Sequence, residues 1–478
     1  MSYSSITKPE DHFNTITWSG DSSSPESLTV GFQPDWIWGK LRNTAYNHQL
    51  YDSVRGFGND KDLQCSQTAA EGGGTADQYG YISGTTSTGF TATKGSDGGA
   101  DGYGYWNESG RTYVAWNWLA GGTAPAITYS VKVVSDSGNK YRFDDYGTSA
   151  VTLDLQEGGT YTFDQSDSSN SGHPLRFSTT SDGSHGGGSE YTTGVTTTGT
   201  PGSAGAKTII TVAASAPTLY YYCTQHSGMG GQANTNSTHG SSNFSGSIQS
   251  TVSTNTTAGF SVVTYTGTGS AATIGHGLGT IPKWYFVKRR DAGSSNWHVY
   301  HSGNAATQDI RFNLAEAAFT TDIWNDTAPT STLFNVKTSV DVNASSGTYI
   351  GYCFNDVKGY SKFGTYSGNG NANGASVHTG FKPAFVIIKN KNGTDNWNIY
   401  DDKRLGFNTN YSFVFANGSN AENTTTSTAN LDILSNGFKV RASTGHLNTS
   451  GNTYLFMAFA KNPFVANDSG TAVPVTAR

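Results

Sequence analysis

Four residues in the second quarter of the chain carry donor atoms that metal ions favour. Cys223, His226 and Met229 stand in one run, Cys223-Thr-Gln-His226-Ser-Gly-Met229, and His173 lies fifty residues before Cys223, in Ser171-Gly-His173-Pro174. Thiolate, imidazole and thioether are soft or borderline donors, and their order here lets one tight loop supply three of them. His185, in Asp182-Gly-Ser-His185-Gly, reads as a loop residue rather than a fifth donor. A second pair, Trp297 and Trp397, recurs at matching positions and offers rings that could stack on a sugar. An inward-facing strand position explains the same two residues as core, as it does Trp36, Trp38, Trp116 and Trp118. The neighbouring carboxylates Asp144-Asp145 and Asp401-Asp402 sit in turn-like contexts and read as solvated loops rather than as an acid/base pair. Gly-x-Ser-x-Gly, His-Glu-x-x-His and Gly-x4-Gly-Lys motifs are all missing, so no catalytic residue is assigned and the expectation is a protein without enzymatic activity.

Short strands must position these groups. Only 13% of the 478 residues are charged, against about a quarter in ordinary globular chains. Glycine (60 residues), Ser, Thr and Asn make up the difference. Aromatic residues reach 13% and proline only 12 residues, which argues against disorder. Aromatic and Thr-rich runs punctuated by Gly, Asn and Asp predict an all-β protein. Around the metal-like residues, Ile127, Tyr129, Val131 and Val133 alternate, as do Val151, Leu153 and Leu155, then Tyr161 and Phe163. Period-two alternation marks half-buried strands.

Internal repeats set the wider plan. Phe32 to Lys40, Leu278 to Lys288 and Phe381 to Lys389 share a turn with Pro, an apolar run and a closing Lys. Each is followed by a second match, Asn47 to Asp52, Asn296 to His301 and Asn396 to Asp401, and by a third, Gly110 to Trp118, Gly347 to Phe354 and Gly451 to Phe459. Trp297 and Trp397 are 100 residues apart and Tyr349 and Tyr454 are 105 apart, so the copies are full units of similar length. Such units bury their aromatic faces by stacking two sheets. The Asn392-Gly393 step predicts a hairpin with positive φ at both turn positions. The chain therefore divides into a β-sandwich over 1–124, a different β-domain over 125–235, sandwiches over 236–358 and 359–466, and a tail over 467–478. The Gly/Ser/Asn/Thr-rich stretch from Gly230 to Thr257 reads as an extended or flexible linker.

The net charge of −6 argues against nucleic acid as a partner. The basic run Lys288-Arg289-Arg290 reads as a strand ending in a charged turn. The longest strongly apolar run, Tyr454 to Ala460, has seven residues against the ~20 of a membrane helix, so no membrane insertion is expected. The first twenty residues contain Lys8, Glu10, Asp11 and His12 and no apolar stretch, so no signal peptide is read. Three cysteines, Cys65, Cys223 and Cys353, are too scattered for a disulfide framework.

The run from Ile6 to Phe13, with Gly31-Phe-Gln-Pro-Asp35, Tyr51-Asp-Ser-Val-Arg-Gly56 and Ser109 to Gly122, resembles a module of marine phage structural proteins, cyanophage tail-associated proteins among them. Those modules resemble concanavalin- or laminin-G-like sandwiches; the two later copies lack Asp-Ser-Val-Arg-Gly and match less well. The resemblance implies tandem lectin-like or jelly-roll sandwiches on a virion. The protein would be made in the host cytoplasm and used as a tail fibre or tail-associated appendage that adsorbs to a host-surface glycan or receptor. Its implied partners are other virion proteins and copies of itself, with a homo-trimer favoured. A capsid-decorating scaffold is the alternative reading, and a polysaccharide-degrading enzyme the weaker one.

The domain over 125–235 resembles cupredoxins, which are Greek-key sandwiches. That resemblance implies a copper site with His173, Cys223 and His226 as strong ligands and Met229 as a weak axial one. The Pro after His173 replaces the Asn common in electron-transfer cupredoxins and puts the loop-pinning hydrogen bond in doubt.

Overall fold

A computed structural model of the chain describes residues 4–424, 429–443, 445–463, 465–468 and 471–474. The protein is all-β, and its only α-helices among the described residues are Ala76–Tyr79 and Val340–Asn343. The three repeats form three β-sandwiches with one shared strand order. In the first, the main antiparallel sheet runs Phe13–Ser19, Thr112–Trp118, Trp36–Leu41, Gln49–Asp52. Its counterparts are Phe260–Thr266, Thr348–Phe354, Trp284–Arg289, Trp297–His301 in the second and Ser361–Ser367, Thr453–Pro463, Phe381–Asn390, Asn398–Asp401 in the third. A smaller sheet covers one face of each main sheet. It comprises Glu26–Thr29, Gly89–Thr93 and Tyr81–Thr86, then Ala272–Gly275 and Leu333–Val336, then Ser376–His378, Gly437–Val440 and Leu431–Leu434. Between the two sheets lie local cores such as Ile37, Tyr51 and Phe90, or Tyr285, Trp324 and Phe334.

The other face of each main sheet is also buried, which explains why all six residues of Trp36–Leu41 and all five of Trp297–His301 are inside. The three faces meet in a single aromatic cluster. Trp36 stacks on Tyr352 at 4.5 Å between ring centroids, Phe13 on Phe459 at 5.2 Å, and Phe312 meets Trp397 edge-on at 4.8 Å. Each of these pairs crosses a different interface, so the repeats are not a string: they interlock. Trp36, Trp38, Trp116 and Trp118 are core residues, as the i, i+2 spacing indicated.

Polar contacts close the ring in one rotational sense. The repeat-closing lysines Lys40, Lys288 and Lys389 are buried. Lys40 Nζ donates to Ser419 O of the third sandwich (3.4 Å), Lys288 Nζ to Thr68 O of the first (3.0 Å), and Lys389 Nζ to Ala315 O of the second (2.9 Å). Two residues on, the backbone repeats the pattern: Glu422 N donates to Arg42 O, Glu71 N to Arg290 O and Ala318 N to Lys391 O. The first sandwich thus leans on the third, the second on the first and the third on the second. Burial pushes the lysine ammonium of Lys40 down to about 7 and those of Lys288 and Lys389 to about 8.

The stretch 125–236 is a separate two-sheet sandwich inserted between the first and second repeats. One sheet runs Leu153–Gln156, Gly231–Asn236, Leu219–Cys223, Leu175–Ser178, and the other Val195–Thr198, Lys207–Thr211, Thr160–Asp164, Ala126–Ser135, Asn139–Phe143. Tyr129, Val131, Leu153, Leu155, Tyr161 and Phe163 fill its core.

Two expectations need correction. The stretch from Gly230 to Thr257 is not a linker: it forms Gly231–Asn236, Ser241–Asn243 and Ser250–Asn255, and Ser241, Ser242, Ser250 and Ser253 are buried. Small hydroxyl residues pass for linker composition, yet here they sit where strands pack closely. Asn392-Gly393 does lie in a hairpin, but the loop covers 391–397 and neither residue has positive φ. A Cβ at Gly393 would come within 2.6 Å of Asn390 Nδ2, so a side chain there would have to displace the Asn390 amide. Beyond the third sandwich, Val465–Asp468 pairs with Thr471–Pro474, while 469–470 and 475–478 lie outside the described residues.

Candidate metal centre

Leu219–Cys223 and Leu175–Ser178 pair antiparallel with Cys223 opposite Leu175. This register brings His173, two residues before Leu175, to the end of the strand where Cys223 stands. The chain then loops from Thr224 to Gly230 and returns as Gly231–Asn236, which carries His226 back over Cys223. Gly228 has φ of 70°, and a Cβ on Gly230 would meet Tyr221 O at 1.6 Å, so both positions need glycine for so tight a return.

Cys223 Sγ lies 3.8 Å from His173 Nδ1 and 3.8 Å from His226 Nδ1. The three donor atoms lie within 4.8 Å of one another. Metal–thiolate and metal–imidazole bonds of about 2.3 and 2.05 Å, set at 120°, place S and N about 3.8 Å apart, and a tetrahedral angle gives about 3.6 Å. The residues present therefore fit a trigonal Cys-His-His site. Met229 is fully buried in the same core cluster as Cys223. Cys223 is buried, His173 half-buried and His226 exposed. Burial and the neighbouring His226 lower the His173 imidazole from its ordinary value, which keeps it neutral as a metal ligand must be.

The Pro after His173 does not leave the loop unpinned. The His173 carbonyl accepts from Tyr141 OH (2.9 Å) and Gln165 Nε2 (2.8 Å), His173 N donates to Asn170 O (2.8 Å), and the Pro174 carbonyl accepts from Thr224 N (3.2 Å). His185 is a loop residue on a short 3-10 turn; its Nε2 lies 3.1 Å from Cys223 O and braces the thiol's own backbone. Cys65 and Cys353 are buried in other cores, and burial pushes both thiols up.

The remaining candidates are placed differently. Trp297 and Trp397 cannot stack on an external ligand: both are buried in the central cluster. Their indole N–H groups are spent between sandwiches, Trp297 Nε1 on Gln64 O (3.0 Å) and Trp397 Nε1 on Leu314 O (3.2 Å). Asp144 and Asp145 are exposed in a left-handed turn, as expected of a solvated pair. Asp401 and Asp402 are not. Asp401 is buried against Arg404 (2.6 Å) and accepts from Trp116 Nε1 of the first sandwich (3.0 Å). The same device recurs as Asp52 with Arg55, where Tyr352 OH of the second sandwich donates to Asp52 Oδ2 (2.8 Å). The signal was present in Tyr51-Asp-Ser-Val-Arg55 and Tyr400-Asp-Asp-Lys-Arg404, which match at Tyr, Asp and Arg. Likewise Lys288-Arg289-Arg290 is a solvated turn only at Arg289, which pairs with Asp291; Lys288 is buried and Arg290 pairs with Glu71 of the first sandwich.

No curated protein and no solved structure matches the chain. A family match covers residues 8–151 and 233–463 and leaves out 152–232, the greater part of the insert with all four metal-like residues. The three-sandwich body, with the insert's first two strands, thus defines the shared portion, and the chain belongs to the family described as Domain of unknown function (DUF7483).

Proposed function

We propose that the chain is a non-catalytic display protein of a particle surface, used as a phage tail fibre or tail-associated appendage that adsorbs to a host-surface glycan or receptor. The observation that supports this reading is the interlocked ring. Buried Lys288, Asp401 and Asp52 are spent on braces between sandwiches, which makes a stiff body that can present its outer loops. Other virion proteins and further copies of the chain, as a homo-trimer, are its partners in this reading; a capsid-decorating scaffold would use the same body. Antiserum to the purified chain should label intact particles, and excess chain should slow their adsorption to host cells. Absence of the chain from purified particles would overturn the reading.

A second reading concerns the insert, and the 3.8 Å separations of Cys223 from both imidazoles favour it. In this reading the insert is a cupredoxin-like domain in which His173, Cys223 and His226, with Met229 as a weaker donor, would hold a copper ion. A bound copper ion would supply a thiolate-to-metal charge-transfer centre. The chain's own part is to hold the donors in register and keep His173 neutral. Titration with Cu(II) should produce an intense visible band that Cys223→Ser removes while the fold persists; a titration without that band contradicts copper binding of this type.

A further inference from the structure

The third sandwich has a cavity that neither the metal centre nor the ring of braces uses. Its volume is about 530 Å3, and it opens beside the turn after Asp401. Phe407 lines it and is 62% exposed, one of three large apolar side chains left so open among the described residues. Asn408 and Asn410 line it too, and both are fixed. Asn408 Nδ2 donates to Ile433 O (2.9 Å) while its Oδ1 accepts from Ile433 N (2.9 Å), and Asn410 Nδ2 donates to Asp401 O (3.0 Å). The rim that presents Phe407 is therefore built on backbone already satisfied.

Two lysines, Lys382 and Lys461, line the same cavity from the paired strands Phe381–Asn390 and Thr453–Pro463. The register of that pair slips between Lys382 and Phe385, a bulge of the kind that re-aims side chains beside sites. Lys461 is gripped by Asp402, whose side chain is only 7% exposed and whose Oδ1 has no hydrogen-bond partner among the described residues. Among the described residues, Lys382 has no side-chain partner. A second cavity of about 310 Å3 is also lined by Asp402 and Lys461, so this ion pair is shared by two adjoining spaces.

An exposed phenyl ring suits the C–H face of a pyranose, and two ammonium groups against one carboxylate suit an anionic ligand. We propose that this cavity binds a carboxylated sugar chain: Phe407 stacks under a uronate ring, Lys382 and Lys461 pair with its carboxylate, and Asp402 is a positioning residue for Lys461. The inference rests on the display reading and gives the adsorbed glycan its chemical class.

Calorimetric titration of the full chain with alginate oligomers, and with neutral dextran oligomers of matching length, tests it. Alginate oligomers should bind with an affinity that falls as salt is added, and dextran should not bind. Phe407→Ala and Lys382→Gln should each weaken alginate binding at least about ten-fold with unchanged near-UV circular dichroism. Equal binding of dextran, indifference to both substitutions, or no binding of alginate overturns the proposal. A chain that adsorbs to host cells without binding alginate overturns this site alone; alginate binding by a chain absent from particles overturns the display reading and leaves the site standing.

Discussion

His298 shows how one buried side chain reports on the packing around it. Its Nδ1 lies 2.6 Å from Asp309 Oδ2 and its Nε2 3.1 Å from Asp341 Oδ2. Burial by itself lowers the imidazole, but the carboxylates of Asp309 and Asp341 outweigh that and raise it to about 9. A folded-state value above the unfolded 6.5 means the contribution is fully present below about pH 6.5 and is lost as pH rises through about 9. Unfolding free energies of the wild type and of His298→Asn should therefore differ most near pH 6, by about 2–3 kcal/mol, and converge toward pH 10. A difference that stays constant with pH would mean that His298 is not charged in the folded protein. At this scale the sequence was uneven as a guide. Cys-x2-His-x2-Met with His173 upstream located three donors that the fold does bring together, because the loop and the strand register are local consequences of the spacing. Asp401 and Asp402 misled, because a carboxylate pair beside Lys looks solvated until its distant partners are known: Trp116 of the first sandwich for Asp401, and Lys461 of the strand Thr453–Pro463 for Asp402.

At the scale of elements, the strands Trp36–Leu41, Trp297–His301 and Phe381–Asn390 carry apolar residues on both faces. A strand covered on one side shows alternation, and these show nearly none, which in hindsight indicates a second covering layer. The repeat was legible, down to the closing Lys, whereas the reason for that Lys was not: besides carbonyls of its own repeat, each one bonds a carbonyl of a different repeat. The Asp401–Arg404 pair also bridges elements, since Arg404 Nη2 donates to Ile399 O (2.8 Å) and Trp116 Nε1 reaches Asp401 from the first sandwich. Arg404→Met should cost about 3–5 kcal/mol, because it strands a buried carboxylate. Trp116→Phe, which removes one donor to the same carboxylate, should cost about 1–3 kcal/mol. The two losses should be non-additive in a double-mutant cycle measured by denaturant unfolding; strict additivity would separate the third sandwich from the first.

At the scale of the molecule, the parse into three sandwiches and an insert was readable from the repeats. Their closure into a ring was not, since nothing in a linear repeat says whether neighbours touch end to end or face to face. The insert enters and leaves beside one turn: a Cβ on Gly158 would come within 2.8 Å of Thr123 O, and Glu157 N donates to Asn236 O (2.8 Å). Residues 126–235 should therefore be replaceable by a short Gly/Ser link with the ring intact, although Phe244 loses its packing partners in the insert. Three sandwiches that form one body must melt together, and differential scanning calorimetry of that shortened chain decides whether they do. A single transition, with calorimetric and van't Hoff enthalpies equal, is the expected result. Stepwise melting, or a lone third sandwich (359–463) that melts as a monomer at the same temperature, would contradict it.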